Sequence, residues 1–326
     1  MMKVSVIVPI YKVEQFITKC AESLLAQTLE DIELIFVDDA SPDRSVDLLQ
    51  ACLDAHPEWK DRVKILRHEC NKGLPAARNS GLSVASGEYV FHCDSDDFVE
   101  PDMLESLYGY AKDRQADIVW CDWWLSFKHN ERYMSQPNYG TPQEAVRGML
   151  SGAMKFTVWN KLVKRSLYQT NAITFPAGYG MGEDMTMIML FACATKVAYL
   201  PKAFYHYVKL NTGSFTQTYT ERHSTELQYN VQRISDFLYT RFGDELEQYV
   251  AFLKLDVKFP FLISASRKKY RMWKEWYPEA NQYILRNKSI SFRSRFIQWC
   301  AWKGQFWVVW LYYIFVQKIV YGLIYR

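Results

Sequence analysis

Long apolar runs are scarce in this chain of 326 residues. The most apolar stretch near its C-terminal end, Phe306 to Val316, counts eleven residues and then meets Gln317 and Lys318 before apolar character resumes from Ile319 to Tyr325. A membrane span needs about 20 apolar residues. This segment reaches that length only with a charge well inside it, so the expectation is a helix lying in a membrane surface; a helix packed on the rest of the protein is the plainer alternative. Cysteine is sparse as well: seven, at positions 20, 52, 70, 93, 121, 193 and 300, an odd number with no C-x-x-C pair. That pattern argues against a disulfide-stapled secreted scaffold and a zinc site, and predicts reduced thiols in the cytoplasm. Internal repeats and low-complexity tracts are lacking, and Met1-Met2-Lys3 leads into a strand-like run instead of a signal peptide.

Acidic residues are nearly missing from one region. Residues 267–326 hold twelve Lys or Arg against only Glu275 and Glu279, a net +10, which leaves −7 for the remainder of a chain whose total is +3. The same region carries six of the eleven tryptophans, at 273, 276, 299, 302, 307 and 310. Cations interleaved with Trp and Tyr suit a membrane interface, where aromatic rings sit at headgroup depth and Lys or Arg meets anionic lipid. Nucleic acid is the competing partner for a basic aromatic patch. The Leu, Ile, Val and Phe content fits lipid better than a phosphate backbone, so no nucleic-acid partner is expected. The expected location is cytoplasmic, peripheral on the inner face of the plasma membrane.

What the N-terminal part does have is alternation. Val4-Ser5-Val6-Ile7-Val8-Pro9 reads as a strand buried on both faces, and Phe16, Cys20, Leu24 and Leu25 recur at helical spacing after it. Ile32 to Val37 is a second strand, Asp43 to Leu53 a helix, Val63 to Leu66 a short strand, Ala76 to Ala85 a helix and Glu88 to Phe91 a further strand. Strands alternating with helices predict an α/β fold with a mostly parallel sheet, and such sheets bind ligands beyond the carboxyl ends of their strands. Acidic clusters stand at two such ends, Asp38-Asp39 and Asp94-Ser95-Asp96-Asp97. Three carboxylates within four positions repel one another unless water or a counter-charge intervenes. A hard divalent cation, Mn²⁺ or Mg²⁺, resolves that conflict and can also hold a diphosphate. Taken alone, the cluster is equally an acidic turn capping the helix that begins near Pro101-Asp102-Met103.

Four segments in this order, Val6-Ile7-Val8-Pro9-Ile10-Tyr11, Val37 to Asp43, Asn71-Lys72-Gly73-Leu74-Pro75-Ala76-Ala77-Arg78-Asn79 and Asp94-Ser95-Asp96-Asp97, resemble family 2 glycosyltransferases of the GT-A fold. The resemblance covers roughly the first 100 residues and weakens toward residue 216. It implies inverting transfer from a nucleoside diphosphate sugar, metal-dependent, with the nucleotide in the N-terminal half and the acceptor in the C-terminal half. Residue by residue, it sets Pro9, Tyr11 and Glu14 around the nucleobase, and Asp39, with Asp38 beside it, as acceptor for a uracil N–H. Gly73 and Arg78 then belong to a nucleotide-contacting loop and helix start, where free backbone N–H groups favour anions. Asp94 and Asp96 become the outer members of a metal-binding Asp-X-Asp motif around Ser95, with Asp97 in support. Gly182-Glu183-Asp184 matches the family's acidic pair: Asp184 is the expected base and Glu183 the acceptor-orienting residue, although both could instead cap the apolar helix that follows. Trp159-Asn160-Lys161 and Tyr205-His206-Tyr207, with the later Ser214-Phe215-Thr216, resemble further family segments. Lys161 is a candidate for the diphosphate and His206 for the metal shell, against the plainer readings of a surface lysine and a packed histidine.

Residues 222–265 carry two amphipathic helical patterns, Leu227, Val231, Ile234, Leu238 and then Leu246, Val250, Leu253, separated by Gly243-Asp244. The expected division is a GT-A catalytic domain at 1–220, with its nucleotide-binding half at 1–100 and its acceptor half at 101–220. A helical segment at 221–266 and a basic, Trp-rich, membrane-associating extension at 267–326 follow. The expected activity is transfer of a hexosyl or N-acetylhexosaminyl group from a UDP-sugar to a hydroxyl of a lipid-linked glycan in capsule, O-antigen or exopolysaccharide assembly. The same residues also admit a soluble or protein acceptor, or a nucleotide-binding scaffold without turnover.

Overall fold

Val4–Ile10 (β1) and Ile32–Asp38 (β2) are buried at every position. Strands apolar on both faces can only sit in the middle of a sheet covered on both sides. The computed structural model describes residues 2–209 and 220–320, with side chains described to residue 316. Its first part runs β1, α1 (Ile17–Leu25), β2, α2 (Ser45–Asp54), β3 (Val63–Arg67), α3 (Leu74–Val84), β4 (Tyr89–His92). These strands lie parallel in the order β3-β2-β1-β4, with Ile7 opposite both Ile35 and His92.

Beyond β4 the pairing changes sense. The chain continues through β5 (Phe98–Val99), α4 (Met103–Arg114), β6 (Ile118–Ser126), β7 (Glu131–Met134), α5 (Pro142–Leu150), β8 (Lys161–Lys164), α6 (Arg165–Thr170), α7 (Thr186–Cys193) and β9 (Val197–Val208). Strand β8 inserts antiparallel between β4 and β6, while β9 runs parallel to β6 and antiparallel to β5. Nine strands among the described residues thus form one mixed sheet, β3-β2-β1-β4-β8-β6-β9-β5 with β7 on β6. This order puts the carboxyl ends of β1, β2 and β4 side by side, which is why residues 9–14, 38–43 and 94–97 become neighbours.

The C-terminal part is helical: α8 (Glu221–Phe242), α9 (Glu247–Lys258), α10 (Arg267–Glu275), α11 (Phe292–Trp302) and α12 (Phe306–Tyr312), the last continuing as a wider π-type helix to Val320. Gly243 and Asp244 lie in the 3₁₀ turn between α8 and α9, at the break anticipated from sequence. The described residues divide into two compact units, Met1–Ala145 with Phe156–Ile234, and Val146–Lys155 with Ser235–Arg326. In the second unit the ammonium of buried Lys258 donates to the carbonyls of Trp276 and Tyr277 and to Asn281, and lies over the ring of Trp273. Trp273 and Trp276 are therefore core residues of this unit, not interfacial ones. The Ser214-Phe215-Thr216 segment and the end of the basic tail lie outside the described residues.

Candidate active site

The loop after β2 is built on carboxylates that accept from the backbone. Asp38 Oδ1 accepts from Ser41 N at 2.8 Å, closing a turn. Asp43 accepts from the hydroxyls of Ser41 and Ser45 and from the backbone N–H groups of Glu14 and Ser45. Burial works against its charge, but these bonds hold its carboxyl below the usual range. Glu14 in turn accepts from Arg44 N at 3.1 Å, so the loop after β1 and the start of α2 are laced together. Pro9 is buried within β1, and Tyr11, just beyond the strand, is exposed. Sequence reasoning gave Asp43 and Ser45 no part in this; the serine–aspartate spacing of Ser41-Pro42-Asp43-Arg44-Ser45 was the signal that could have found them.

Asp39 is buried and takes three hydrogen bonds: His68 Nδ1 at 2.6 Å and Lys72 N at 2.8 Å on Oδ1, and Gly73 N at 2.8 Å on Oδ2. An ionised carboxylate has about four acceptor sites. One site on Oδ2 therefore remains for a further N–H. Gly73 has φ +86 and ψ 160 and precedes α3, a backbone region open essentially to glycine alone. The geometry thus couples Asp39 to the loop from Asn71 to Gly73 and to the start of the helix that carries Arg78.

Arg78 is the centre of the site. It is only 1% exposed, and its Nη2 lies 2.9 Å from Asp94 Oδ1 and 3.6 Å from Glu183 Oε1. Burial opposes its charge, yet Asp94 and Glu183 raise its pKa. Its Nε and Nη1 are buried without a hydrogen-bond partner. Unmet N–H groups on a buried guanidinium cost free energy, and a phosphate or carboxylate oxygen would satisfy them.

Asp94 and Asp96 are half-buried at the end of β4, with Ser95 buried between them. Asp97 turns inward, accepting from Tyr205 Oη and Val208 N, each at 2.7 Å. Burial, then the charges of Asp96 and Asp94, push its carboxyl well above the usual range. Asp97 therefore braces β9 against the acidic turn. Tyr205 completes that brace by accepting from Asp94 N at 3.0 Å.

Glu183 and Asp184 stand in a short 3₁₀ turn that leads into α7, after Gly182 with φ +87. The turn is held from α8: Glu226 accepts from Met181 N, and Asn230 donates to the carbonyls of Tyr179 and Met181. Burial and the neighbouring Asp184 charge raise the Glu183 carboxyl to about 8, against the opposing pull of Arg78. Burial raises Asp184 to about 6, opposed by Arg78 and Lys161. Lys161 is fully buried, donating to Thr157 O at 2.7 Å and Asn160 Oδ1 at 2.9 Å. Burial lowers its ammonium to about 7. It is not a surface lysine, and its charge acts on Asp184.

His206 pairs with Phe98 across β5 and β9. Its Nε2 is 2.9 Å from Glu100 and its Nδ1 2.8 Å from Glu131, and its ring stacks on Phe98 at 4.2 Å. Both ring nitrogens are thereby engaged by carboxylates that sequence reading did not connect with it. The donor set that suits a hard cation is Asp94 and Asp96, oxygen ligands beside the unmet N–H groups of Arg78. Among the described residues no three His, Cys, Asp or Glu are grouped so as to hold a metal ion.

A family model described as glycosyl transferase family 2 matches residues 5–181. Among curated proteins, the chain is similar to EpsH of Bacillus subtilis, named as a glycosyltransferase, at 31% identity over 227 residues, covering 67% of this chain and 64% of EpsH. It is similar to the glycosyltransferase GlyG of Streptococcus pneumoniae at 30% over 227 residues, covering 66% of this chain and 73% of GlyG. The match thus spans just under two thirds of EpsH. Among solved structures, S. aureus TarS in complex with UDP-GlcNAc aligns with a TM-score of 0.69 at 20% identity, over 96% of this chain and 91% of that one. The likeness establishes the fold, which is GT-A with a helical C-terminal region.

Proposed function

The chain belongs to glycosyl transferase family 2, and on that premise we propose that it moves one sugar, with inversion, from a UDP-sugar to a hydroxyl of a glycan in bacterial surface-polysaccharide assembly. The observation that supports this best is the convergence of Arg78, Asp94 and Glu183, with Nη2 2.9 and 3.6 Å from the two carboxylates. Residues far apart in sequence meet there, beside Asp184 and at the carboxyl ends of parallel strands.

In this reading Tyr11 and the remaining acceptor site of Asp39 receive the uracil, as the UDP-GlcNAc bound to TarS makes reasonable. The unmet N–H groups of Arg78 take oxygens of the diphosphate or sugar. Asp94 and Asp96 would hold Mn²⁺ or Mg²⁺, which when bound neutralises charge on the departing diphosphate. Asp184, ionised near neutral pH, accepts the proton of the acceptor hydroxyl as its oxygen bonds to the anomeric carbon and the bond to UDP breaks. Glu183, still protonated there, orients the acceptor. The acceptor is a lipid-linked glycan met at the inner face of the plasma membrane.

The test is UDP release from a panel of UDP-sugars, with metal present and with EDTA. Release with one sugar, abolished by EDTA and restored by Mn²⁺ or Mg²⁺, is expected. Full turnover in EDTA would remove the metal from the mechanism. No release with any UDP-sugar, despite UDP binding, would leave a nucleotide-binding scaffold.

A further inference from the structure

Large apolar side chains are exposed unevenly in this protein. Among the described residues, eight of those that are exposed fall between Leu285 and Phe315. On α12, Trp307, Trp310 and Leu311 follow the i, i+3, i+4 spacing of one helix face, and that face looks outward: Trp307 is 64% and Trp310 46% exposed, while Val309 is buried. On α11, Phe292 is 73% exposed, one turn before the exposed Phe296, while Ile297, Cys300 and Ala301 on the other side are buried. The two helices pack on each other, with the Arg293 guanidinium 5.8 Å from the Tyr312 ring. The outward apolar stripes thus belong to neighbouring elements of one unit.

Charge identifies the occupant. No acidic residue follows Glu279 in the chain, whereas Arg286, Lys288, Arg293 and Lys303 are exposed. Lys303 lies over the ring of Trp302, itself exposed, at 4.4 Å. A second copy of this chain would bring like charge against like charge. An anionic bilayer would take the cations at its headgroups and the Trp and Phe rings just beneath. No helix among the described residues is long and apolar enough to cross a membrane.

We propose that the outward faces of α11, α12 and the π-type helix that continues it dock this protein on anionic lipid, with Phe292, Phe296, Trp302, Trp307, Trp310 and Phe315 entering the interface. This names the surface that the membrane part of the proposed function rests on. The experiment is co-sedimentation of the full chain with vesicles of phosphatidylcholine alone or mixed with phosphatidylglycerol. Mixed vesicles should bind it at least about tenfold more tightly than neutral ones, and added salt should weaken that binding, since screening acts on the charge component. Replacing Trp302, Trp307 and Trp310 together by Ser should lower binding about tenfold or more, as should replacing Arg286, Lys288, Arg293 and Lys303 by Gln. Circular dichroism of each variant checks that the fold is kept, and bromolipids should quench tryptophan emission in the parent and less in the Trp variant.

Indifference of the parent to both vesicle types, or equal binding by a folded Trp variant, overturns the proposal. So does a concentration-dependent dimer that the Trp variant abolishes, because the face then belongs to a second copy. UDP release in the absence of vesicles is measured alongside. Its loss in the parent counts against the proposed reaction and leaves the lipid result standing, whereas its presence without vesicle binding counts only against the docking face.

Discussion

The loop after β2 and the turn before α7 both present paired carboxylates to the same site, and they treat them in opposite ways. Asp39 and Asp43 are well partnered: backbone N–H groups, serine hydroxyls and His68 meet their oxygens, with one acceptor site of Asp39 left open. Glu183 and Asp184 have little beyond their own backbone N–H groups and the offset charges of Arg78 and Lys161. A carboxylate that accepts several bonds is held rigidly, and at Asp43 those bonds keep the carboxyl below the usual range. One that is buried with few partners is raised in pKa and ready to exchange a proton. The first loop therefore holds shape, and the second holds chemistry.

That contrast breaks most visibly at Asp184. Asp184→Asn keeps the side chain's size and removes its basicity, so turnover should fall by about 10²-fold or more, the range for loss of a general base. UDP affinity by calorimetry should stay within a few-fold of the parent, and the melting temperature should hold or rise, because a strained carboxylate has gone. Near-parent turnover would move the proton-accepting role to Glu183.

The pH dependence sharpens the same distinction. With Asp184 at about 6, kcat/KM should climb as pH rises through that value and the base ionises. Stability should move the other way. The Glu183 carboxyl is raised from 4.5 to about 8 in the folded protein, so the folded state binds the extra proton. Its contribution is fully present below pH 4.5, and is lost as pH rises through about 8. Melting temperature should decline across that window, and Glu183→Gln should flatten the decline; an unchanged slope would mean that Glu183 is not buried as an acid.

The alternation of strands and helices through β4, and the acidic ends of β2 and β4, were readable because each depends on neighbours in sequence. So were the break at Gly243 and the pairing of Glu183 with Asp184. The partners were not readable, because register joins distant segments: Phe98 meets His206 across β5 and β9, which brings Glu100 to the same ring. Asp97 stood beside Asp94 and Asp96 in a single motif, yet it faces the other way, to Tyr205. Lys161 read as a diphosphate contact or else a surface lysine, and its burial was not legible because a single lysine in a short strand carries no periodic signal; the insertion of β8 between β4 and β6 buries it. In the tail, composition marked six tryptophans alike, and only packing separates Trp273 and Trp276 from those that reach the surface.

On the well-partnered side, Asp39→Asn should act through structure first. The amide keeps one acceptor oxygen and turns an N–H₂ toward donors that now lack a partner. An unsatisfied buried donor costs about 1–3 kcal/mol. Chemical denaturation should show a loss of that order, together with roughly tenfold weaker UDP binding as the loop from Asn71 to Gly73 loosens. A variant of parent stability that has lost turnover outright would place Asp39 among the reacting groups and dissolve the division between the two loops.

The smallest effects separate backbone shape from chemistry altogether. At Gly73 a methyl group has room, since the nearest atom to an added Cβ is Pro75 Cδ at 3.9 Å. Its φ of +86 and ψ of 160 remain disfavoured for any side chain, at a cost of about 1–3 kcal/mol. Gly73→Ala should therefore destabilise by about that amount and weaken UDP binding, because Gly73 N is what reaches Asp39 Oδ2. Gly109 provides the control. It lies inside α4 with nothing within 4 Å of an added Cβ, so Gly109→Ala should stabilise by about 0.5–1 kcal/mol and leave UDP binding alone. Stability shifts of opposite sign with a change in affinity at Gly73 only would show that the loop's conformation, separately from overall stability, sets the nucleotide site. If both variants bind UDP as the parent does, the link from Asp39 through Gly73 to Arg78 carries shape but no affinity.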